Sequence, residues 1–254
     1  MGEALRLGDI GLYRKYVRLL LRKEQVTKDG LTYYLKYLKE FGEDLVSNLQ
    51  IRNDCIRMKK KIAYVQAAIE ERRHINIAEM EDYLDRQMVH HYRDLAEMAA
   101  ESKQARKAKI RGKLIREHSD KIYRRISLLI HPDLNPMTWN DKELHELWGR
   151  VSEAYCDDDV VSLLDLESVI RKTVKARKIK TKRHAIKNLK GRITELEEEI
   201  NDIVNSEPYT YRKYLSDSIS ELRKHDELFD QYDEYHRHYK ELFDMLMDIT
   251  DNPI

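Results

Sequence analysis

The sequence predicts an all-α protein in which elongated helical hairpins or coiled coils flank a helix-loop-helix segment. Its 254 residues include only 8 Gly and 4 Pro, too few for the many tight turns of large sheets. Charged residues make up 37% of the chain, and apolar residues recur at spacings of three and four, the period of a helix with one buried face. We expect an N-terminal hairpin over 1–110, the helix-loop-helix over 111–170 and a C-terminal hairpin over 171–254.

The N-terminal region predicts a short helix over about 9–27, a turn at Lys28-Asp29-Gly30 and then a helix of about 40 residues. The long helix has an apolar stripe at alternating spacings of four and three: Ile51, Cys55, Met58, Ile62, Val65 and Ile69. Asn76, with Glu79 three residues later, predicts the N-cap of the next helix. The apolar residues of that helix run from Ile77 to Met98, so we expect a hairpin.

The C-terminal region carries the most regular apolar pattern. Its first stripe is typical of a coiled-coil seam and consists of Ile186, Leu189, Ile193, Leu196, Ile200 and Ile203. The helix is expected to stop before Pro208, because proline disfavours helix at the residue before it. A second stripe follows, made of Leu215, Ile219, Leu222, Phe229, Tyr232, His236, Tyr239, Phe243 and Leu246. We expect the two helices to bury these stripes on each other.

Charge is arranged in blocks that the net charge of +1 conceals. Residues 103–125 carry a balance of +8 and residues 141–167 one of −7, while residues 171–192 hold 11 basic side chains and no acidic one. The run 171–192 could bind nucleic-acid phosphates. We favour the interpretation that it pairs with acidic residues of 141–167 or of the C-terminal helix, because aromatic side chains for base stacking are missing there.

The helix-loop-helix is the segment with the clearest functional pattern. A basic amphipathic helix leads into His131-Pro132-Asp133-Leu134-Asn135-Pro136, where two prolines within five residues keep the loop open. We expect the tip to present the His131 imidazole and the Asp133 carboxylate, which is suited to pairing with an arginine of another protein. The apolar sides of the two helices should form one core containing Ile122, Tyr123, Ile126, Leu129, Ile130, Trp148, Val151, Ala154 and Tyr155.

This segment resembles the J-domain of DnaJ-type co-chaperones. The resemblance rests on the basic helix with Tyr-Arg-Arg at 123–125, on His-Pro-Asp at 131–133, and on Trp148, Val151 and Glu153-Ala154-Tyr155 in the second helix. It covers about 40 of the 254 residues, and the flanking matches make it more specific than the tripeptide alone. The family's usual first helix, zinc-binding repeats and Gly/Phe-rich linker are not found, so client binding by those modules is not implied.

The resemblance implies a co-chaperone, not an enzyme, that docks on a DnaK-type chaperone and accelerates ATP hydrolysis in that partner. The basic helix would meet an acidic surface, and the aspartate would engage an arginine of the ATPase. The residues implied in partner binding are Lys121, Arg124, Arg125, His131, Pro132, Asp133 and Asn135. A client protein and a homodimer through the coiled coils are further partners that the sequence leaves open.

Two alternatives remain: a coiled-coil scaffold whose J-like unit is structural, and a nucleic-acid-associated helical factor, which we disfavour. No phosphate-binding loop or hydrolase motif supports catalysis, and no cofactor is expected. No metal site is expected either, because His90-His91 and the pair His236 and His238 do not share a helix face. With no apolar run of the roughly 20 residues that span a bilayer and no signal peptide, we expect a cytoplasmic protein without a membrane partner, whose Cys55 and Cys156 are reduced.

Overall fold

The computed structural model describes residues 7–179, 186 and 188–251. Over these residues the chain is helical and contains no β-strand, which confirms the predicted fold class. The helices are α1 (Leu7–Glu70), α2 (Ile77–Lys107), α3 (Lys113–Ile130), α4 (Met137–Asn140), α5 (Lys142–Cys156), α6 (Val160–Ala176), α7 (Leu189–Asn205), a 3₁₀ helix (Tyr209–Leu215) and α8 (Ser218–Asp251). None of the helices formed by these residues combines the length and the apolar character that a membrane span requires.

Helix α1 continues through Lys28-Asp29-Gly30, so the turn predicted there is wrong. The side chain of Lys28 is buried, and its Nζ lies 2.5 Å from Asp158 Oδ1. Asp29 forms an ion pair with Arg116. Both charged side chains therefore have partners from distant parts of the chain, and these tertiary contacts override the local turn signal.

Contacts among the described residues divide the chain into two compact units. Unit 1 comprises Met1–Thr32 and Lys109–Thr210, and unit 2 comprises Tyr33–Ala108 and Tyr211–Ile254. Each unit is assembled from segments far apart in the sequence, whereas the sequence predicted boundaries near residues 110 and 170. Helix α1 contributes its first part to unit 1 and its second part to unit 2.

In unit 2, α1 and α2 form the predicted antiparallel hairpin. The N-cap is confirmed at Asn76, whose side chain accepts hydrogen bonds from the backbone N–H groups of Ala78 and Glu79. Across the hairpin, Asn53 Nδ2 donates to the carbonyl oxygen of His91 at 3.0 Å. The predicted stripe of α1 is buried from Ile51 to Val65, and on α2 the buried apolar residues are Met80, Leu84, Met88 and Ala105. Ile77 is exposed, although it was predicted to belong to the stripe.

Helix α8 runs parallel to α1 within unit 2. Asn48 Nδ2 donates to the carbonyl oxygen of Leu228 at 2.8 Å, and the Cys55 thiol donates to that of Tyr235 at 3.3 Å. Both pairs are separated by 180 residues, so the two helices stay in register over one heptad.

The apolar stripe predicted for α8 is correct in part. Leu246 is buried, and Leu215 and Tyr239 pack against buried clusters, as predicted. Ile219, Leu222, Phe229 and Phe243 are exposed, whereas Leu228 and Leu242, which the stripe did not include, are buried. The line through Leu228, the partly buried Tyr235 and Leu242 lies one residue before the predicted line through 229, 236 and 243. One residue corresponds to about 100° around a helix, so the contacts with α1 turn Phe229 and Phe243 outward.

Unit 1 contains a core formed by α3, α5 and α6 and a second cluster around α7. In the second cluster, Ile193 and Leu196 of α7 pack with Tyr16 and Leu20 of α1. Ile186 contacts this cluster but precedes α7, so its predicted place in the helix is wrong. The apolar faces of α7 and α8 thus have partners other than those of the predicted hairpin.

Two arginines of the basic run 171–192 form ion pairs with acidic residues of 141–167. Arg171 Nη2 lies 2.6 Å from Glu167 Oε1, and Arg177 forms ion pairs with Asp141 and Glu143. The favoured interpretation of the run is confirmed for these two arginines. Residues 180–185 and 187 of the run lie outside the described residues.

Candidate partner-docking site

The His-Pro-Asp loop connects two antiparallel helices of unit 1. At one end of the pair, the rings of Tyr123 in α3 and Tyr155 in α5 stack with centroids 3.8 Å apart. At the other end, His131 meets Trp148 edge-on at 4.7 Å. Burial, and secondarily the Asp120 carboxylate that accepts its hydroxyl at 3.0 Å, raise the pKa of Tyr155. This pair of helices fixes both ends of the loop.

The backbone of the loop folds tightly on the carbonyl group of His131. The N–H of His131 still bonds to Ser127 at the end of α3, at 2.9 Å. The His131 carbonyl oxygen then accepts hydrogen bonds from the N–H groups of Leu134 at 3.0 Å and Asn135 at 2.7 Å. These two hydrogen bonds form a tight turn in the loop before α4 begins.

The imidazole of His131 is buried, so the prediction that the tip presents it is wrong. Only 5% of the residue is exposed. Its Nδ1 accepts a hydrogen bond from the N–H of Asp133 at 3.0 Å, which leaves the proton on Nε2, and Nε2 lies 2.7 Å from Glu24 Oε1. The ring therefore connects the loop backbone to α1 and orients Asp133.

Asp133 is exposed, in contrast to its neighbours. Pro132, Leu134 and Asn135 are buried, and Leu134 packs against Tyr16 in the α7 cluster. Among the loop residues predicted to bind a partner, the structure therefore leaves the carboxylate accessible and encloses the imidazole, the proline and the asparagine.

The residues predicted as the core of the J-like unit lie together in one cluster. Leu129 and Trp148 lie at its partly buried edge. The buried members are Ile122, Tyr123, Ile126, Ile130, Val151, Ala154 and Tyr155. Helix α6 adds Leu163, Leu166 and Ile170 to the same cluster, so the core is larger than the two helices that the sequence indicated.

The basic residues predicted on α3 differ in their availability. Lys121 and Arg124 are exposed. Arg125 is exposed too, but it binds Glu167 of α6 through two hydrogen bonds of 2.9 and 2.6 Å. Hydrogen bonds from Arg125 and Arg171 lower the pKa of Glu167 to about 2, against the opposing effect of burial. Arg125 therefore has a partner within the chain.

Sequence reasoning missed three residues of this site. Arg14 and Arg18 of α1 line a shallow groove of about 330 Å³ together with Arg124 and the half-exposed Leu128 of α3. Their four-residue spacing, continued by Arg22, is the signal that could have identified a basic face on the first helix. Glu24, the partner of His131, has no comparable signal, because nothing local distinguishes it from other helical glutamates.

Comparisons of the chain with protein-family models, with curated proteins and with solved structures find no match. Within the described residues, no group of three or more His, Cys, Asp or Glu side chains is arranged to hold a metal ion. Cys55 is buried and Cys156 is exposed, and both are free thiols. What the site does is therefore argued from its sequence pattern and its geometry.

Proposed function

We propose that this protein is a J-domain-type co-chaperone that docks on a DnaK-type chaperone and stimulates its ATPase through the loop 131–133. The observation that carries the proposal is the exposed Asp133 carboxylate on a loop whose backbone is held by the His131 ring. A carboxylate held in this way can form a bidentate pair with an arginine of a partner with little loss of conformational entropy. The flanking sequence pattern of the J-domain lies on the two helices that hold this loop.

In this proposal His131 positions Asp133 and does not itself contact the chaperone. Its ring bonds to the N–H of Asp133 and to Glu24, and it is enclosed. Substitution of His131 would remove the hydrogen bond to the backbone of Asp133, so the Asp133 carboxylate would lose its fixed orientation. Lys121 and Arg124 would guide an acidic surface of the chaperone towards the loop, and Arg14 and Arg18 extend the same charge. Such charges raise association rates in a salt-dependent way.

Single-turnover ATP hydrolysis by a DnaK-type chaperone tests the proposal. We expect the wild-type protein to accelerate hydrolysis, and Asp133→Asn to return the rate to the basal value. Asp165→Asn is the matched control, because Asp165 is an exposed aspartate of α6 in the same unit. Circular dichroism and thermal unfolding of each variant would show that the fold is retained.

The outcomes separate the proposal from its alternatives. If wild-type protein does not accelerate hydrolysis, the co-chaperone function is wrong and a structural J-like unit is favoured. Equal acceleration by wild type and Asp133→Asn would also contradict the proposed role of the loop. We further expect Lys121→Ala/Arg124→Ala to need higher protein concentrations for the same acceleration, with a weaker dependence on salt than the wild type.

A further inference from the structure

Unit 2 contains a groove between α1 and α8 that is separate from the loop 131–133. Its volume is about 760 Å³, within the range of ligand-binding clefts. Its lining combines apolar and acidic side chains, which include Ile51, Phe229, Tyr232, Asp44, Asp54 and Asp226. We call it the acidic groove.

The apolar lining of the acidic groove continues along α8. Phe229 is 64% exposed and Leu222, seven residues earlier on the same face, is 62% exposed. The two side chains are about 10 Å apart along the helix axis, which matches two turns of a facing helix. Large aromatic and aliphatic side chains presented in this way are typical anchors of helix-in-groove recognition.

The charge of the acidic groove favours a positively charged partner. Its lining includes three aspartates, Asp44, Asp54 and Asp226, and no lysine or arginine among the described residues. His225 is bonded to Asp44 at 2.6 Å, but neither Asp54 nor Asp226 forms an ion pair with any residue that the structure describes. Uncompensated carboxylates attract a cationic segment and repel nucleic-acid phosphates and anionic membrane surfaces.

A buried amide adds a second, independent observation. Asn48 lines the acidic groove and is more than nine-tenths buried. Its Nδ2 donates a hydrogen bond to the Leu228 carbonyl oxygen, while its Oδ1 has no hydrogen-bond partner in the part of the chain that the structure describes. Buried acceptors are usually satisfied, so this unpaired oxygen is an exception among the buried groups of the groove wall.

We infer that the acidic groove binds a basic amphipathic helix of a partner protein. Phe229 and Leu222 contact its apolar face, and Asp54 and Asp226 pair with its lysines or arginines. A third helix laid against α1 and α8 would complete a bundle-like arrangement in which the exposed face of α8 is covered. This inference rests on unit 2 alone and does not depend on the proposed co-chaperone function.

Fluorescence anisotropy with a labelled synthetic peptide tests the inference. The probe is an 18-residue amphipathic helix of lysine, leucine and phenylalanine, with apolar residues at spacings of three and four. Two control peptides accompany it: one with glutamate in place of every lysine, and one of identical composition in scrambled order. We expect the full chain to bind the probe and neither control.

Two variants locate the binding in the acidic groove. Phe229→Ala should weaken binding about tenfold, because it removes the central anchor. Asp54→Asn/Asp226→Asn should weaken binding and reduce its dependence on salt. The charge-matched control Asp82→Asn/Glu97→Gln changes two exposed carboxylates of α2 and should bind like the wild type. Circular dichroism should be unchanged, since all of these substitutions except Asp54→Asn alter exposed residues.

Three results would overturn the inference. The first is failure of the wild-type chain to bind the basic probe, and the second is equal binding of the scrambled peptide. The third is a dimer in sedimentation experiments that dissociates on Phe229→Ala but not on addition of the basic probe. In that case the groove would be occupied by a second copy of this chain. None of these results affects the ATPase test of the loop.

Discussion

The imidazole of His131 and the carboxylate of Glu24 meet at 2.7 Å, joining the His-Pro-Asp loop to the first helix across 107 residues of sequence. The opposite nitrogen of the same ring accepts the N–H of Asp133. The orientation of the exposed carboxylate thus depends on a glutamate in a helix that the resemblance to J-domains does not include.

Substitution of Glu24 tests this dependence. Glu24→Ala leaves the Nε2 proton of a buried imidazole without its acceptor, and we expect it to lower the free energy of unfolding by about 1–3 kcal/mol. Glu24→Gln keeps an acceptor and should cost less. Glu197→Ala, which removes an exposed partner of Lys15, should cost about 0.5 kcal/mol or less. Urea unfolding followed by circular dichroism measures all three; equal effects of Glu24→Ala and Glu197→Ala would contradict the role assigned to Glu24.

Lys28 anchors α1 in unit 1 through buried charges. Lys28→Met leaves the buried Asp158 with only the more distant Arg116, whose Nε lies 3.9 Å from Asp158 Oδ2, and we expect a loss of about 3 kcal/mol in unfolding free energy. Adding Asp158→Asn should recover part of the loss, since asparagine is neutral and tolerates the left-handed backbone at that position, where φ is 52°. Lys142→Met, at an exposed ion pair of α5, should change stability by less than about 0.5 kcal/mol. A double variant no more stable than Lys28→Met would argue against the buried-charge explanation.

The pKa of Glu167 predicts a pH-dependent contribution to stability. Its pKa falls from an ordinary value of 4.5 to about 2 in the folded protein. A lowered folded-state pKa stabilises the fold above pH 4.5, and the contribution is lost as the pH falls from 4.5 towards 2. We expect wild type to exceed Glu167→Gln by about 2 kcal/mol at pH 7 and the difference to shrink across that acidic range. Urea unfolding at pH 7, 4 and 3 measures it, and a pH-independent difference would exclude the ionic explanation.

Two glycines in helices should respond in opposite ways to alanine. A Cβ at Gly42 of α1 would lie 2.4 Å from the Oγ and 2.9 Å from the Cβ of Ser102 in α2, whereas nothing lies within 4 Å of one at Gly149 in α5. Gly42→Ala should therefore force the hairpin apart and cost about 1–3 kcal/mol. Gly149→Ala should stabilise its helix by about 0.5–1 kcal/mol through helix propensity. Thermal unfolding compares them, and stabilisation by both would show that the α1–α2 contact is looser than described.

Local patterns in the sequence were sufficient for several features. Helical periodicity predicted the all-α class, the buried stripe from Ile51 to Val65 and the capping residue Asn76. The helix-loop-helix pattern also placed its apolar residues in what proves to be one core. These predictions succeed because periodicity and capping depend on residues within a few positions of each other.

The errors arose where distant residues compete with local signals. Lys28-Asp29-Gly30 has the composition of a turn, but Asp158 and Arg116 hold its charges within a continuous helix. One line of the stripe predicted for α8, through 229, 236 and 243, is one residue out of register, because alternative faces of a helix with many aromatic residues have similar apolar character. Contacts with α1 decided which face is buried.

The sequence by itself determined that this chain is helical and that a basic helix, a His-Pro-Asp loop and an aromatic helix follow one another. Only the tertiary structure decided that His131 is enclosed by Glu24 and Trp148 while Asp133 is exposed, and that Phe229 faces the acidic groove. The physical reason is that secondary structure follows from short-range backbone hydrogen bonding and periodicity. Burial and ion pairing, in contrast, depend on which distant segments the fold brings into contact.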